Sequence, residues 1–186
     1  MSDEKTADLK IRDNNFNFCP LCGGKNIKNM KMRNWLCSDC GFDLYNNVAS
    51  AVGLIIKNKN NEILLEKRAK NPRQGFLALP GGFVDPNESA EEASFRECKE
   101  EIGIVPEKLR YIGSFPNTYQ YRNIVYKTCD LFFEARFSDE EPLNFQKDEV
   151  LAVEWRKVET ESDIEKIPLA FESAEKILKI WLRSSR

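Results

Sequence analysis

The chain has 186 residues, with 28 Lys and Arg against 30 Asp and Glu, no histidine, and a formal net charge of −2. So balanced a charge supplies no global field that would draw the protein onto nucleic acid. The lack of histidine excludes Ser–His and Cys–His catalysis, and it leaves Cys, Asp, Glu and backbone oxygen to hold any metal.

Residues 1–15 are polar and acidic and read as a disordered tail. They show neither the apolar core of a signal peptide nor an Arg-rich transit pattern. No apolar stretch in the chain approaches the roughly 20 residues that span a bilayer. A cytoplasmic protein with no membrane partner is therefore expected. In that reducing compartment six cysteines do not imply a disulfide framework.

Residues 16–45 carry a cysteine cluster. Cys19-Pro-Leu-Cys22 is followed after 14 residues by Cys37-Ser-Asp-Cys40. Each CxxC turn aims two thiolates at one point, and Zn²⁺ accepts four sulfurs tetrahedrally. Four thiolates close the coordination shell, so a structural Zn²⁺ site in a small zinc ribbon is expected. A segment this short cannot build its own core, and the metal supplies its folding energy. Lys25, Lys28, Lys31 and Arg33, with Trp35 beside them, form a possible RNA-contacting patch. A solvated hairpin surface is the simpler reading of the same residues.

Residues 46–186 change texture. Alternating apolar runs predict strands over Val48–Lys57, Glu62–Arg68, Leu109–Ser114, Ile124–Phe137 and Val150–Arg156. The turn-rich Asn58–Asn61 predicts that the first two strands form a hairpin. A helix is expected after Ser89, which forms a capping box with Glu92, and it should end at Gly103 in the left-handed conformation. A second helix over about Ala170–Leu182 places Ala170, Ala174, Ile177, Leu178 and Trp181 on one face. Strands mixed with two helices predict an α/β fold with a helix-flanked mixed sheet.

The first helix carries the chemistry. At about 100° per residue, Glu97, Glu100 and Glu101 share one edge, while Phe95, Cys98 and Ile102 form an adjoining apolar stripe. Clustered carboxylates repel unless a cation neutralises them, and hard Mg²⁺ or Mn²⁺ prefers oxygen ligands. A divalent-cation site and an ordinary solvated acidic face are both consistent with the helix alone. The loop before it, Leu79-Pro80-Gly81-Gly82, allows backbone to approach a metal or phosphate closely.

The segment Gly82–Ile104 resembles the Nudix box: G, five residues, E, seven residues, then REUxEExGU, where U is apolar. Gly82, Glu88 and Arg96-Glu97-Cys98-Lys99-Glu100-Glu101-Ile102-Gly103-Ile104 occupy its fixed positions, with Cys98 in an apolar slot. Leu64-Leu65-Glu66-Lys67-Arg68 is similar to the family's lead-in, and Trp155 to its late strand. The resemblance covers roughly Val48 to Leu182. It implies a Nudix α/β/α sandwich around a mixed β-sheet, here preceded by the zinc ribbon. It implies a pyrophosphohydrolase that cleaves a nucleoside diphosphate linked to another moiety. By resemblance Glu97, Glu100 and Glu101 are Mg²⁺ or Mn²⁺ ligands, with the Gly81 or Gly82 carbonyl and Glu149 as further ligands. One of Glu97, Glu100 and Glu101, or Glu88 through its neighbours, helps position or deprotonate the attacking water, and Arg96 orients the carboxylates. Arg68 and Arg73 are candidate phosphate partners.

A zinc ribbon before this domain is similar to the NADH pyrophosphatase group, whose members also remove NAD caps from RNA. That group carries SQPWPFPxS after the box. Here the stretch is Ser114-Phe115-Pro116-Asn117-Thr118-Tyr119-Gln120-Tyr121, which keeps only the serine and one proline. The expected partner is a small-molecule nucleotide: NADH, ADP-ribose, a dinucleoside polyphosphate or a sugar nucleotide. Phe83, Phe115, Tyr119 and Tyr121 are candidates to stack on its base. A homodimer is allowed by analogy with that group. The alternative from another class is a non-catalytic nucleotide sensor or RNA-binding regulator. The retained box glutamates favour the enzyme.

Overall fold

The computed structural model describes residues 15–122, 124–136, 143–145 and 148–184. Residues 1–14 of the expected tail, and Phe137 at the end of an expected strand, lie outside the described residues. The chain divides into two compact units, Met1–Asn47 with Gln120–Val125, and Val48–Tyr119 with Tyr126–Arg186.

The first unit holds a three-stranded antiparallel sheet of β1 (Ile27–Met30), β2 (Asn34–Cys37) and β3 (Asp43–Tyr45). The β1–β2 turn has Lys31 and Met32 at φ 52° and 65°, closed by the Arg33 amide donating to the Met30 carbonyl at 3.1 Å. Its buried cluster is Cys19, Ile27, Trp35 and Cys37, with Phe42 packed against it. Trp35, expected beside the basic residues, faces inward at 6% exposure with the Phe16 ring edge-on at 4.9 Å. Strand alternation explains the difference: Trp35 and Cys37 share the inner face, and Leu36 points out. The expected basic patch therefore lacks its aromatic residue. Lys25 and Arg33 lie instead over the rings of Phe18 and Tyr45.

The second unit contains β4 (Ala49–Ile56), β5 (Glu62–Arg68), β6 (Leu77–Ala78), β7 (Lys108–Tyr121), β8 (Ile124–Arg136) and β9 (Val150–Lys157). The tips of β7 and β8 count with the first unit. Two three-stranded sheets result, ordered β4-β8-β7 and β6-β5-β9. Strand β4 runs parallel to β8, whereas β5 is antiparallel to both β6 and β9, so pairing is mixed as expected. The expected β4–β5 hairpin is reduced to a local turn. Among the described residues the two strands meet at the Lys57–Ile63 bridge, beside which the Asn58 amide donates to the Glu62 carbonyl. The strands separate because each is buried on both faces, and each finds its ladder in a different sheet. Strand β7 runs past the expected Ser114 to Tyr121. Pro116 is tolerated within it because β7 is an edge strand.

Alternation along β4 and β5 builds the two apolar layers. Ile55, Ile63 and Leu65 pack with Ile177, Leu178 and Trp181 of α3 (Glu172–Ser184). Leu54, Ile56 and Leu64 pack on the opposite side with Cys98, Ile102 and Ile104. Sheet strands are thus covered by one helix on each side, an α/β/α sandwich. The second helix begins at Glu172 rather than about Ala170; its expected face is buried, with Ala174 (4%), Ile177 (0%), Leu178 (0%) and Trp181 (3%), and Ala170 (6%) is buried just ahead of it. A short α2 (Glu161–Glu165), capped by Thr160 and Asp163, precedes it and was not expected. Among the described residues no helix is long and apolar enough to cross a membrane.

Ile177 is fully buried between α3 and both β4 and β5. Ile177→Ala leaves a cavity there and is expected to cost about 2–5 kcal/mol. Thermal unfolding followed by circular dichroism checks this. A Tm within a degree of the parent would contradict the assigned core.

Candidate functional site

Strand β6 leads through Leu79 and Pro80 into Gly81 and Gly82, and the edge of β4 straps this loop down. The Leu54 amide donates to the Pro80 carbonyl at 2.9 Å, Val52 to Gly82 at 2.8 Å, and the Val84 amide to Ser50 at 3.0 Å. Gly81 sits at φ 137°, where a Cβ would come 2.1 Å from the Val52 carbonyl oxygen. A Cβ on Gly82 would come 2.4 Å from Glu97 Oε1. Close approach to backbone and a positive φ require glycine at 81, whereas a side chain at 82 would displace the Glu97 carboxylate.

Helix α1 (Ala90–Glu97) opens with the expected Ser89–Glu92 capping box. The expected single α-helix does not continue to Gly103. Cys98–Ile102 forms a π-helical turn, and Gly103 ends it at φ 78°. A π turn inserts an extra residue per turn and re-aims side chains. The three box glutamates consequently differ. Glu97 and Glu101 are each 8% exposed, whereas the Glu100 side chain is 52% exposed.

One guanidinium gathers this group. Arg96 donates to both oxygens of Glu88 at 2.9 Å, to Glu97 at 2.8 Å, to Glu100 at 3.2 Å and to the Phe83 carbonyl at 2.9 Å. Pairing with Glu88 first, then with Glu97 and Glu100, raises Arg96 above its ordinary range despite partial burial. The same pairing, with the Asp85 amide, holds Glu88 below the usual carboxylate range.

Beneath this clamp, burial and mutual repulsion oppose ionisation of the carboxyls. Burial raises Glu97, and neighbouring Glu100 and Glu149 add to the rise against Arg96. Burial raises Glu101 well above the usual range, with Glu66 and Glu97 adding repulsion, although its Oε2 accepts the Gly81 amide at 2.7 Å. Burial likewise pushes Glu66 up to about 8, although its carboxyl hydrogen-bonds that of Glu101. Glu66 is 4% exposed, and its Oε1 has no hydrogen-bond partner. Glu149 stands beside this group, where β9 slips register against β5 near Lys67 and Arg68. Its carbonyl accepts the Ala69 amide at 2.8 Å, and its Oε1 accepts Lys70 at 2.8 Å. Buried oxygen donors with raised pKa values and one orphaned oxygen suit a hard divalent cation. The four cysteines of the first unit converge more tightly: their sulfurs all lie within 4.8 Å of one another.

Other candidates separate into two groups. Phe83 meets Tyr119 edge-on at 5.3 Å and Tyr126 at 5.8 Å; Tyr119 also meets Phe171 at 5.8 Å. The Arg68 guanidinium lies over Phe171 at 5.1 Å, with Nε donating to Pro72. Phe83, Tyr119 and Arg68 are thus linked through Phe171. Tyr121 falls in the first unit, its ring against Arg122, and Phe115 packs on the main core rather than with the other aromatics. Arg73 is exposed over Phe76. Asp130, buried in β8, accepts from Asn117, Thr128 and Ser173 at 2.9, 2.6 and 2.7 Å. It thereby ties down neighbours of Tyr119 and Phe171.

Sequence reasoning missed Glu66, Tyr126, Asp130 and Phe171. For Glu66 a signal was present: a charged residue at the end of the apolar run Ile63-Leu64-Leu65, in step with Leu64. Tyr126 and Phe171 carry no such mark, since only folding places them beside Phe83 and Arg68.

The NUDIX domain family model matches residues 48–178. An ADP-ribose pyrophosphatase of Methanocaldococcus jannaschii is 49% identical over 74 residues, covering 40% of this chain and 43% of the relative. A NAD-capped RNA hydrolase of Schizosaccharomyces pombe is 30% identical over 162 residues, covering 75% of this chain and 43% of the relative. Each match therefore spans less than half of the relative's own length. Among solved structures, a MutT/nudix family protein from Enterococcus faecalis superposes with a TM-score of 0.62 at 27% identity, covering 79% of this chain and 66% of that one. With box spacing, sandwich fold and family match in agreement, this chain belongs to the Nudix family.

Proposed function

We propose that the chain is a metal-dependent hydrolase of the pyrophosphate bond in nucleoside diphosphate-linked compounds, releasing nucleoside monophosphate. The observation that carries this reading is the complete set of box glutamates, with Glu97 and Glu101 buried against the Gly81–Gly82 backbone under the Arg96 clamp. Glu97, Glu100, Glu101, Glu149 and the Gly82 carbonyl are the residues to hold Mg²⁺ or Mn²⁺, which would neutralise the pyrophosphate and acidify a bound water. Glu88 and Arg96 keep the carboxylates in place rather than touching substrate. Glu100, the box glutamate reaching solvent, is suited to take the proton of an entering water. Catalysis by these residues is mostly positioning and charge stabilisation.

Phe83, Tyr119, Tyr126 and Phe171 offer ring faces to a base, and the Nη donors of Arg68 suit a phosphate oxygen. ADP-ribose is the first substrate to test, because the relative at 49% identity carries that activity in its name. NADH and NAD-capped RNA follow from the other relative, although this chain departs from the SQPWPFPxS pattern.

In the first unit we assign Zn²⁺ to the four cysteines. A tetrahedral site with Zn–S of about 2.3 Å has sulfur–sulfur edges of about 3.8 Å. The Cys19–Cys40 and Cys22–Cys37 sulfurs are 3.7 and 3.8 Å apart. Burial opposes ionisation of Cys19, yet the Cys22 and Leu21 amides draw it down to about 7. Cys40, despite the Phe42 amide, is pushed up to about 12 by burial and the neighbouring sulfurs. Sulfurs this close can all ionise only around a cation, and four of them leave no position for a reacting water.

Two predictions follow from these assignments. Against ADP-ribose, NADH, NAD, dinucleoside polyphosphates and sugar nucleotides with Mg²⁺ or Mn²⁺, the parent protein should release nucleoside monophosphate. Glu97→Gln should lower that rate about 10²-fold or more with an unchanged circular-dichroism spectrum. Undiminished turnover in Glu97→Gln would refute the site. Separately, Cys37→Ser should lose stoichiometric zinc by elemental analysis while residues 48–178 stay folded. A Cys37→Ser protein that still carries one zinc per chain would refute the four-cysteine assignment.

A further inference from the structure

Strand β5 is buried on both faces, and its side chains alternate between the two apolar layers. Ile63 and Leu65 join the layer of α3. Leu64 joins the layer of Cys98 and Ile102, which lie in the π turn of the box. Glu66 follows Leu64 by two residues and shares its face. A carboxylate therefore stands where an aliphatic side chain would complete the packing under the box helix.

No side-chain cation is hydrogen-bonded to Glu66 among the described residues, although Arg68 acts on it from nearby. Glu66 is 4% exposed, hydrogen-bonded to the carboxyl of Glu101, and its Oε1 has no hydrogen-bond partner. Glu97 and Glu149 are its other charged neighbours, together with Arg68. The nearby cations are engaged elsewhere: Arg96 by Glu88, Glu97 and Glu100, Lys70 by Glu149, and Arg68 by the Pro72 carbonyl and the Phe171 ring. The Gly81 amide already fixes one oxygen of Glu101. What is unmet is a positive charge on the β5 side of Glu101. A hydrophobic residue would be cheaper at this position unless the carboxylate has a cation to bind.

We propose that Glu66 is a further ligand of the divalent-cation site, contributed by strand β5 from outside the box and meeting the ion on the side of Glu101. This rests on the metal-site reading given under the proposed function. Glu66 is anchored by ladders to Ala78 and Val153 on either side. It supplies oxygen from a rigid strand, whereas the box supplies its own from a helix. The site thus draws on the carboxylates Glu66, Glu97, Glu101 and Glu149, with Glu100 at the rim, and should favour a divalent over a monovalent cation.

The test is Mn²⁺ binding by the 186-residue, zinc-loaded chain, measured without substrate by isothermal titration and by the loss of the free-Mn²⁺ electron paramagnetic resonance signal. The proteins are the parent, Glu66→Gln, Glu66→Leu and, as a control, Glu97→Gln. Glu66→Gln and Glu66→Leu should each weaken Mn²⁺ binding about tenfold or more, or remove one equivalent. The metal-free Tm should hold or rise, and the Tm gain on adding Mn²⁺ should shrink. If neither folds, Glu66→Asp, which keeps the charge but withdraws it, should weaken Mn²⁺ in the same way. Parent-like Mn²⁺ affinity and stoichiometry in the folded Glu66 variants, with Glu97→Gln weakened, would overturn this inference alone and leave Glu66 sharing a proton with Glu101. A parent protein that binds no Mn²⁺, or a Glu97→Gln variant with parent-like affinity, would overturn the metal-site reading with it.

Discussion

The arrangement depends on carboxylates held against bare backbone. Glu97 lies so close to Gly82 that a methyl group there would collide with its oxygen, and Glu101 accepts the amide of Gly81. That contact requires glycine at 81 and, for Glu97 to stay where it is, at 82. It also requires the loop to be immobile, which the Pro80, Gly82 and Val84 bonds to β4 accomplish. Carboxylates buried this near one another would repel. Arg96 relieves part of that repulsion from the solvent side by holding Glu88, Glu97 and Glu100 together. On the inner side, around Glu66 and Glu101, no side-chain cation is bonded among the described residues. The divalent cation proposed for this site would supply the missing positive charge.

The scaffold follows from the same requirement of rigidity. Strands β4 and β5 are apolar on both faces, so each can be clamped between helical layers. One layer carries the box helix, and the other carries α3 with the segment that places Phe171. The buried Asp130 joins β7, β8 and α3 through Asn117, Thr128 and Ser173. The polar contacts that orient the aromatic group are therefore part of the core.

The first unit obeys a different economy. Its buried cluster is small, and the zinc proposed for its four converging sulfurs would supply the missing folding energy. Lys25 and Arg33, two of the residues in the expected RNA-contacting patch, lie over aromatic rings. Such contacts suit a solvated ribbon as well as a binding one.

Much was decided by the sequence itself. Spacing within CxxC pairs and within the box is local, so the four-cysteine cluster, the Ser89–Glu92 cap and the Gly103 terminus were legible without a fold. Alternation and helical periodicity identified the buried strands and the inner face of α3, because both are properties of neighbouring residues. Tertiary structure decided what depends on partners distant in the chain. It separated β4 from β5, since strand pairing is settled by competition among all strands. It turned Trp35 inward and drew Phe115 into the core. The π turn distinguished Glu100 from Glu97 and Glu101, a difference that helical periodicity could not show. Folding also brought Glu66, Tyr126 and Phe171 to the site from three separate elements. The box spacing defines which carboxylates gather, but the charge around each depends on burial and on neighbours that only the packed chain supplies.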